Sequence, residues 1–133
     1  MVNKISNINV NEASKIIQEA KKSLSTHIAE INGKNIQSWI DYSKEIEIAF
    51  KFPTCRSESI DFYLDFMRDL DWLEKDAYIL MIHNYEMFLI NDLSTKKMIM
   101  DDFNEIIFPW WQEEVVSCVV GGKIKPFNVY AVE

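Results

Sequence analysis

The sequence has few of the residues that mark several common kinds of functional site. Among its 133 residues are two cysteines, two histidines, three glycines and three prolines. Cys55 and Cys118 lack the spacing of a zinc or redox motif, and two cysteines do not make a disulfide framework. The glycines form no phosphate-binding loop, so the sequence carries no signature of a nucleotide site. We therefore expect reduced thiols and a cytoplasmic protein.

Long hydrophobic runs and excess positive charge are also missing. No apolar run approaches the roughly 20 residues needed to cross a bilayer, and the beginning of the chain lacks the apolar core and cleavage site of a signal peptide. With 14 basic and 21 acidic residues the net charge is −7. This balance argues against direct binding to nucleic acid or to an anionic membrane surface. It favours a basic partner or a metal cation.

The acidic residues are concentrated in two segments. Residues 54–76 contain seven acidic and three basic residues, and residues 101–114 contain five acidic residues and no basic one. In the first segment Asp61, Asp65 and Asp69 recur every four residues. Residues four apart share one face of a helix, where like charges repel by roughly 0.2–0.5 kcal/mol per pair. A solvated helix surface is one explanation, but the near absence of lysine beside this stripe favours a binding role.

Hydrophobic patterning predicts an α/β domain. Strands are expected at 26–31, 77–82 and 127–132, and helices at 9–25, 38–50, 59–72 and from 94 onward. Pro109 is expected to break or kink the last helix. Because parallel neighbours need a crossover connection, we predict a small three-stranded parallel sheet packed with helices.

A helical wheel divides the aspartate-bearing helix into two faces. The predicted core face consists of Ile60, Tyr63, Leu64, Met67 and Leu70. The opposite face consists of Glu58, Asp61, Asp65 and Asp69.

The segment AEINGKNIQSWIDYSKEIEIAFKFP (29–53) resembles the opening of the barstar family of ribonuclease inhibitors, with a strand, an Asn-Gly turn, a helix and a hydrophobic-Pro pair. Asp61 and Asp65 then match the family's Asp-x-x-x-Asp. Later segments are also similar to the family: DLDWL (69–73), AYILMIHN (77–84) and PFNVYAV (126–132). The resemblance covers about residues 26–133, which leaves residues 1–25 as an N-terminal helical extension.

The resemblance implies a three-stranded parallel sheet and a non-enzymatic, cofactor-free inhibitor that blocks a bacterial ribonuclease or toxin nuclease, as immunity proteins do. Asp61 and Asp65 would be the principal contacts, and Glu113 or Glu114 a further acidic contact on the last helix. A nuclease cleft holds arginine and lysine at phosphate spacing. A rigid row of carboxylates can therefore mimic the charges of the substrate, and its long-range attraction speeds association.

The loop before the acidic helix departs from the family pattern. Cys55, Arg56 and Ser57 replace aromatic residues and a glycine, and Leu64 replaces an aromatic residue between the two aspartates. In the family these aromatic residues would pack against the enzyme, so the changes affect which target is bound more than they affect the fold. The complete set of predicted partner-binding residues is Arg56, Glu58, Asp61, Leu64, Asp65, Asp69 and Glu113.

Two other functions remain open from the residues alone. A magnesium-dependent hydrolase would use Asp61, Asp65 and a distant carboxylate as oxygen ligands, although no catalytic base is evident. An interaction module for a non-nuclease partner would fit the changed aromatic positions. We predict no catalytic residue, no metal site and no cofactor.

Overall fold

The core of the protein is a four-stranded sheet in which every neighbouring pair of strands is parallel. The computed structural model describes residues 2–133. Its strands are β1 (Ile5–Ile8), β2 (Thr26–Asn32), β3 (Ala77–His83) and β4 (Phe127–Val132), in the spatial order β1-β4-β3-β2. The prediction of an α/β fold with a parallel sheet is confirmed. The predicted number of three strands is wrong, because β1 adds a fourth strand at the edge beside β4.

Helix α1 (Val10–Lys21) covers one face of the sheet. Asn9 caps it, since its side chain accepts the Glu12 N–H at 2.8 Å while the Glu12 carboxylate accepts the Asn9 N–H at 3.2 Å. Ala13 packs against Met81 and Val132 on this face. The predicted N-terminal helix is therefore present. The division of the chain into an extension over 1–25 and a domain over 26–133 stays a prediction.

The opposite face of the sheet carries the larger core. It is covered by α2 (Trp39–Ala49), α3 (Ile60–Met67) and the long helical segment that precedes β4. Ser38 caps α2 by accepting the Asp41 N–H at 3.2 Å. The alternation of a parallel strand sends Leu80 to this face and Met81 to the other, so both faces of the sheet are apolar.

The long helical segment continues through Pro109, so of the two predicted effects of this proline the break does not occur, and the kink stays a prediction. It consists of α4 (Leu93–Asp102), two π-helical stretches and α5 (Val115–Cys118). The π-helical stretches are Phe103–Ile107 and Trp110–Glu114, and Pro109 lies between them with helical angles φ −61° and ψ −34°. Proline lacks the N–H of a regular turn and crowds the carbonyl four residues earlier. The wider π-helical turns, which bond over five residues, relieve this conflict.

Within residues 2–133 no helix has the length and the apolar character needed to span a membrane.

Candidate functional site: the acidic face of helix α3

All four carboxylates of the predicted acidic face of α3 lie on the surface. Glu58, Asp61, Asp65 and Asp69 are exposed, and we call these four residues the acidic face. On the predicted core face, Leu64 is partly buried, and three residues are fully buried: Tyr63, Met67 and Leu70. Ile60 departs from the prediction with 40% of its surface exposed.

Helix α3 is shorter than the predicted range of 59–72. It ends at Met67 with Arg68 as its C-cap, and Leu70 adopts a left-handed conformation with φ of 56°. A non-glycine residue seldom adopts this conformation within regular structure, so the chain turns away from the helix axis here. Asp61 and Asp65 therefore share the helix, whereas Asp69 follows it.

Two tryptophan side chains hold the ends of α3. The indole N–H of Trp39 donates to the carbonyl of Glu58 at 2.8 Å, just before the helix begins. The indole N–H of Trp111 donates to the carbonyl of Met67 at 2.9 Å, at the last residue of the helix. Both indoles belong to other helical elements. Their hydrogen bonds therefore fix the position of the helical turns that carry Asp61 and Asp65.

Ser57 anchors the loop before α3. Its side chain is fully buried, and its hydroxyl donates to the carbonyl of Ser43 at 3.3 Å and to the carboxylate of Glu47. Ser59 takes the N-cap position of the helix but makes no side-chain capping bond. Ser57 thus anchors this loop to α2, with Arg56 exposed beside it.

Asp65 is the one member of the acidic face that forms an ion pair among residues 2–133. A terminal guanidinium nitrogen of Arg68 lies 3.1 Å from Oδ1 of Asp65, and the two side chains are 34% and 67% exposed, respectively. Exposed pairs of this kind contribute roughly 0–1 kcal/mol. A partner can therefore compete for Asp65 at little energetic cost.

Asp69 has a different environment from the other carboxylates. Its Oδ1 accepts the backbone N–H of Asp71 at 3.2 Å. Partial desolvation raises the pKa of Asp69, the hydrogen bond from Asp71 opposes this effect, and the neighbouring charge of Asp71 raises the pKa further.

An aromatic ridge runs beside the acidic face, and the two-face wheel missed it. Phe62 and Phe66 of α3 have ring centroids 6.3 Å apart, and Phe66 packs at 5.1 Å from Phe52 and 5.8 Å from Trp72. We call these four residues the aromatic ridge. The recurrence of phenylalanine four residues apart is the sequence signal that could have indicated it. Phe62 is 39% exposed, and the Arg56 guanidinium lies over its ring, 5.2 Å from the centroid.

Glu113 is exposed within the π-helical stretch that contacts the end of α3. In this stretch Trp111 is buried and donates to the carbonyl of Met67, and Trp110 is partly buried beneath the guanidinium of Arg68, 5.7 Å from the ring centroid. Trp111 makes the contact with α3, and Glu113 follows it two residues later in the same stretch. A contact between Glu113 and a partner stays a prediction.

No cluster suited to a metal ion accompanies the acidic face in the described chain. Across residues 2–133, three or more histidine, cysteine or carboxylate side chains nowhere converge in a way that could hold one. A cavity of about 530 Å³ opens beyond the end of α3, but acidic and basic side chains line it together, among them Asp69, Asp71, Lys75 and Lys123. The arrangement offers an external charged surface with an aromatic flank.

The fold and this surface define a small parallel α/β domain that presents a carboxylate-bearing helix to solvent. A profile of the family described as Barstar (barnase inhibitor) matches residues 26–121, well over half of the chain. The chain therefore belongs to the barstar family, and the predicted family is confirmed. No curated protein sequence matches it.

Two solved structures of the ORC2 protein from Aeropyrum pernix, one an ADP form and one described as ADPNP–ADP complexes, are similar in fold. Each aligns with 17% sequence identity and a TM-score of 0.54, over 99% of this chain and 35% of the other. This chain thus spans about a third of their length. At this level of identity the likeness concerns the fold alone.

Proposed function

We propose that the protein is a stoichiometric inhibitor that binds the basic active-site cleft of a ribonuclease or related toxin nuclease through the acidic face. The observation that carries the proposal is the exposure of Asp61 and Asp65, one helical turn apart on α3, in a chain of the barstar family. Their spacing resembles the family's Asp-x-x-x-Asp. Inhibition is a binding event, so it requires no catalytic residue and no cofactor.

The physical argument is one of charge and rigidity. Two carboxylates on adjacent turns can meet two phosphate-binding cations of a nuclease, and a basic partner relieves the repulsion between them. The tryptophan bonds at Glu58 and Met67 brace the helix before binding. A braced surface loses little conformational entropy on association, which favours affinity.

The test is calorimetric titration of the protein into a barnase-type ribonuclease, together with an assay of RNA cleavage. We expect one-to-one binding and loss of cleavage. Asp65→Ala should weaken binding by about 30-fold or more, because about 2 kcal/mol or more is lost when one member of a desolvated charge pair is removed.

Glu19→Ala is the matched control for Asp65→Ala. Glu19 also forms an exposed ion pair with a residue three positions later, Lys22, at 3.5 Å, but it lies on α1 across the sheet from α3. Both variants remove one negative charge and one surface pair. Equal effects of the two variants would contradict binding through the acidic face, and absence of binding by the wild-type protein would contradict a barnase-type target.

A further inference from the structure

We propose that the ring of Phe62 is the docking position for an arginine side chain of the partner, and that Arg56 occupies this position in the free protein. The inference rests on the proposed function, since it takes the partner to be a protein with a basic binding surface. It assigns a role to Arg56 and Phe62, which binding through carboxylates alone does not require.

Phe62 is placed as a contact residue rather than as part of the core. Its neighbour Tyr63 is fully buried, whereas 39% of Phe62 is exposed. Phe66 supports the ring from behind at 6.3 Å and is itself held by Phe52 and Trp72. A large aromatic ring that packs against the protein on one side and is partly exposed on the other is typical of an interface anchor.

The side chain that covers Phe62 is a cation with weak attachments. The Arg56 guanidinium lies 5.2 Å from the ring centroid, within the range of a cation–π interaction. Among residues 2–133 Arg56 forms no ion pair within 4.0 Å, although Glu58 and Asp61 follow closely in the sequence. Its backbone is fixed by the buried Ser57 next to it, so only the side chain must move to uncover the ring.

Charge complementarity identifies the occupant. Asp61 adjoins Phe62 in the chain, and Asp65 lies one turn further along the same helix. An arginine from a basic partner can therefore lay its planar guanidinium on the ring and direct its N–H groups toward a carboxylate. Lysine presents a compact, strongly hydrated charge and gains less from the ring. We therefore expect a partner that reaches this position with arginine in preference to lysine.

The competition has a consequence for affinity. While Arg56 covers the ring, a partner arginine must displace it, and removal of Arg56 should tighten binding beyond the effect of its charge. A cation–π contact at an exposed site corresponds to about a 2- to 5-fold change in affinity. This additional gain in affinity should disappear when leucine replaces Phe62.

A double-mutant cycle with a capped tetra-arginine peptide tests this inference. Binding is followed at low ionic strength by NMR, using ring-labelled phenylalanine assigned by comparison with Phe62→Leu. Arg56→Gln should tighten binding about 2- to 5-fold more in the Phe62 background than in the Phe62→Leu background. A tetra-lysine peptide should show a smaller loss with Phe62→Leu than the arginine peptide does.

Arg68→Gln is the matched control within the same cycle. Arg68 also lies over an aromatic ring beside the acidic face, but that ring belongs to Trp110. Its replacement should therefore change affinity equally in both backgrounds. Equal effects of Arg56→Gln in the two backgrounds, or no binding of the arginine peptide at all, would overturn the inference, provided that thermal unfolding shows all variants folded.

The peptide measurement and the ribonuclease assay can fail independently. Coupling between Arg56 and Phe62 without inhibition of a barnase-type ribonuclease upholds the docking position and rejects that target. Inhibition without coupling upholds the proposed function and rejects the docking position.

Discussion

At the scale of single residues, the four carboxylates of the acidic face differ in what surrounds them. Asp61 is exposed on the first turn of α3, where a negative charge interacts favourably with the helix dipole. Asp65 forms an ion pair with Arg68, and Asp69 follows the helix and accepts a hydrogen bond from the Asp71 N–H. Their contributions to binding and to stability should therefore be separable by substitution.

Asp69→Asn should stabilise the protein at neutral pH. A raised pKa means that the folded protein binds the proton more tightly than the unfolded chain, so stability is lost as the pH rises from the ordinary value of 3.8 through the raised value. The asparagine oxygen can still accept the Asp71 N–H. We expect a gain of about 0.2–1 kcal/mol, the range of exposed charge interactions.

Urea unfolding at pH 7 and at a pH well below 3.8 measures this effect. The gain should be present at neutral pH and absent at the acidic pH, where the carboxylate is protonated in both states. Glu114→Gln on the long helical segment is a control for the loss of one exposed charge. A gain of the same size at both pH values would show that the effect does not arise from ionisation.

At the residue level, helical spacing predicted the exposure of the carboxylates but not the aromatic ridge beside them, and the binding role of the carboxylates stays a prediction. Helical spacing was enough to predict that Asp61 and Asp65 face solvent, because the buried Tyr63 and Met67 define the opposite side. Phe62 was missed because its exposure depends on Phe52 and Trp72 filling the space behind Phe66. Such packing between separate segments leaves no periodic signal in the helix itself.

At the scale of elements, α2 and α3 are joined by a buried pair of tyrosines. The hydroxyls of Tyr42 and Tyr63 lie 2.7 Å apart, and both side chains are fully buried. Burial raises the pKa of both hydroxyls, so each keeps its proton at neutral pH. The pair therefore fixes the position of α3 against α2 through a hydrogen bond between neutral groups.

Tyr63→Phe should cost about 1–3 kcal/mol, because it leaves the buried Tyr42 hydroxyl without its partner. The double variant Tyr42→Phe, Tyr63→Phe should cost less than the sum of the single variants, since neither unpaired hydroxyl remains. Urea unfolding of the three variants measures both values. Strict additivity would contradict a direct bond between the two hydroxyls.

Sequence patterns predicted the elements whose signal is local and missed those that depend on distant residues. The strand over 127–132 was predicted with its observed bounds, since its apolar and polar residues alternate within a few positions. Strand β1 has only four residues, and its partner β4 is the last element of the chain. The continuation through Pro109 was missed because a proline rule assumes regular α-helical turns, whereas this segment contains π-helical ones.

At the scale of the whole molecule, Asn3 connects the beginning of the chain to its end. Its side-chain oxygen accepts the N–H of Phe127 at 3.0 Å, its backbone N–H donates to Gln112 Oε1 at 2.9 Å, and its side-chain amide donates to the carbonyls of Phe108 and Lys125 at 3.4 Å each. The residue is 6% exposed. These bonds hold β1 at the sheet edge and position the first residue of β4.

Asn3→Ala should destabilise the protein by about 1–3 kcal/mol, because it leaves the buried N–H of Phe127 without an acceptor. Asn7→Ala is the control, since Asn7 is an exposed asparagine four residues later, in β1, and its replacement should change stability by about 0.5 kcal/mol or less. Urea unfolding of both variants measures the difference. Equal effects would show that the N-terminal segment is held by β1 pairing alone.

The net charge of −7 and the acidic face predict that association with a basic ribonuclease should depend on salt. Long-range attraction acts before contact, so salt should slow association while changing dissociation less. In stopped-flow measurements the association rate constant should fall about tenfold or more between roughly 50 mM and 500 mM salt. The double variant Asp61→Ala, Asp65→Ala should show a shallower dependence, because two of the steering charges are removed. An association rate that salt leaves unchanged would mean that the acidic face does not steer the encounter, whatever affinity the complex has.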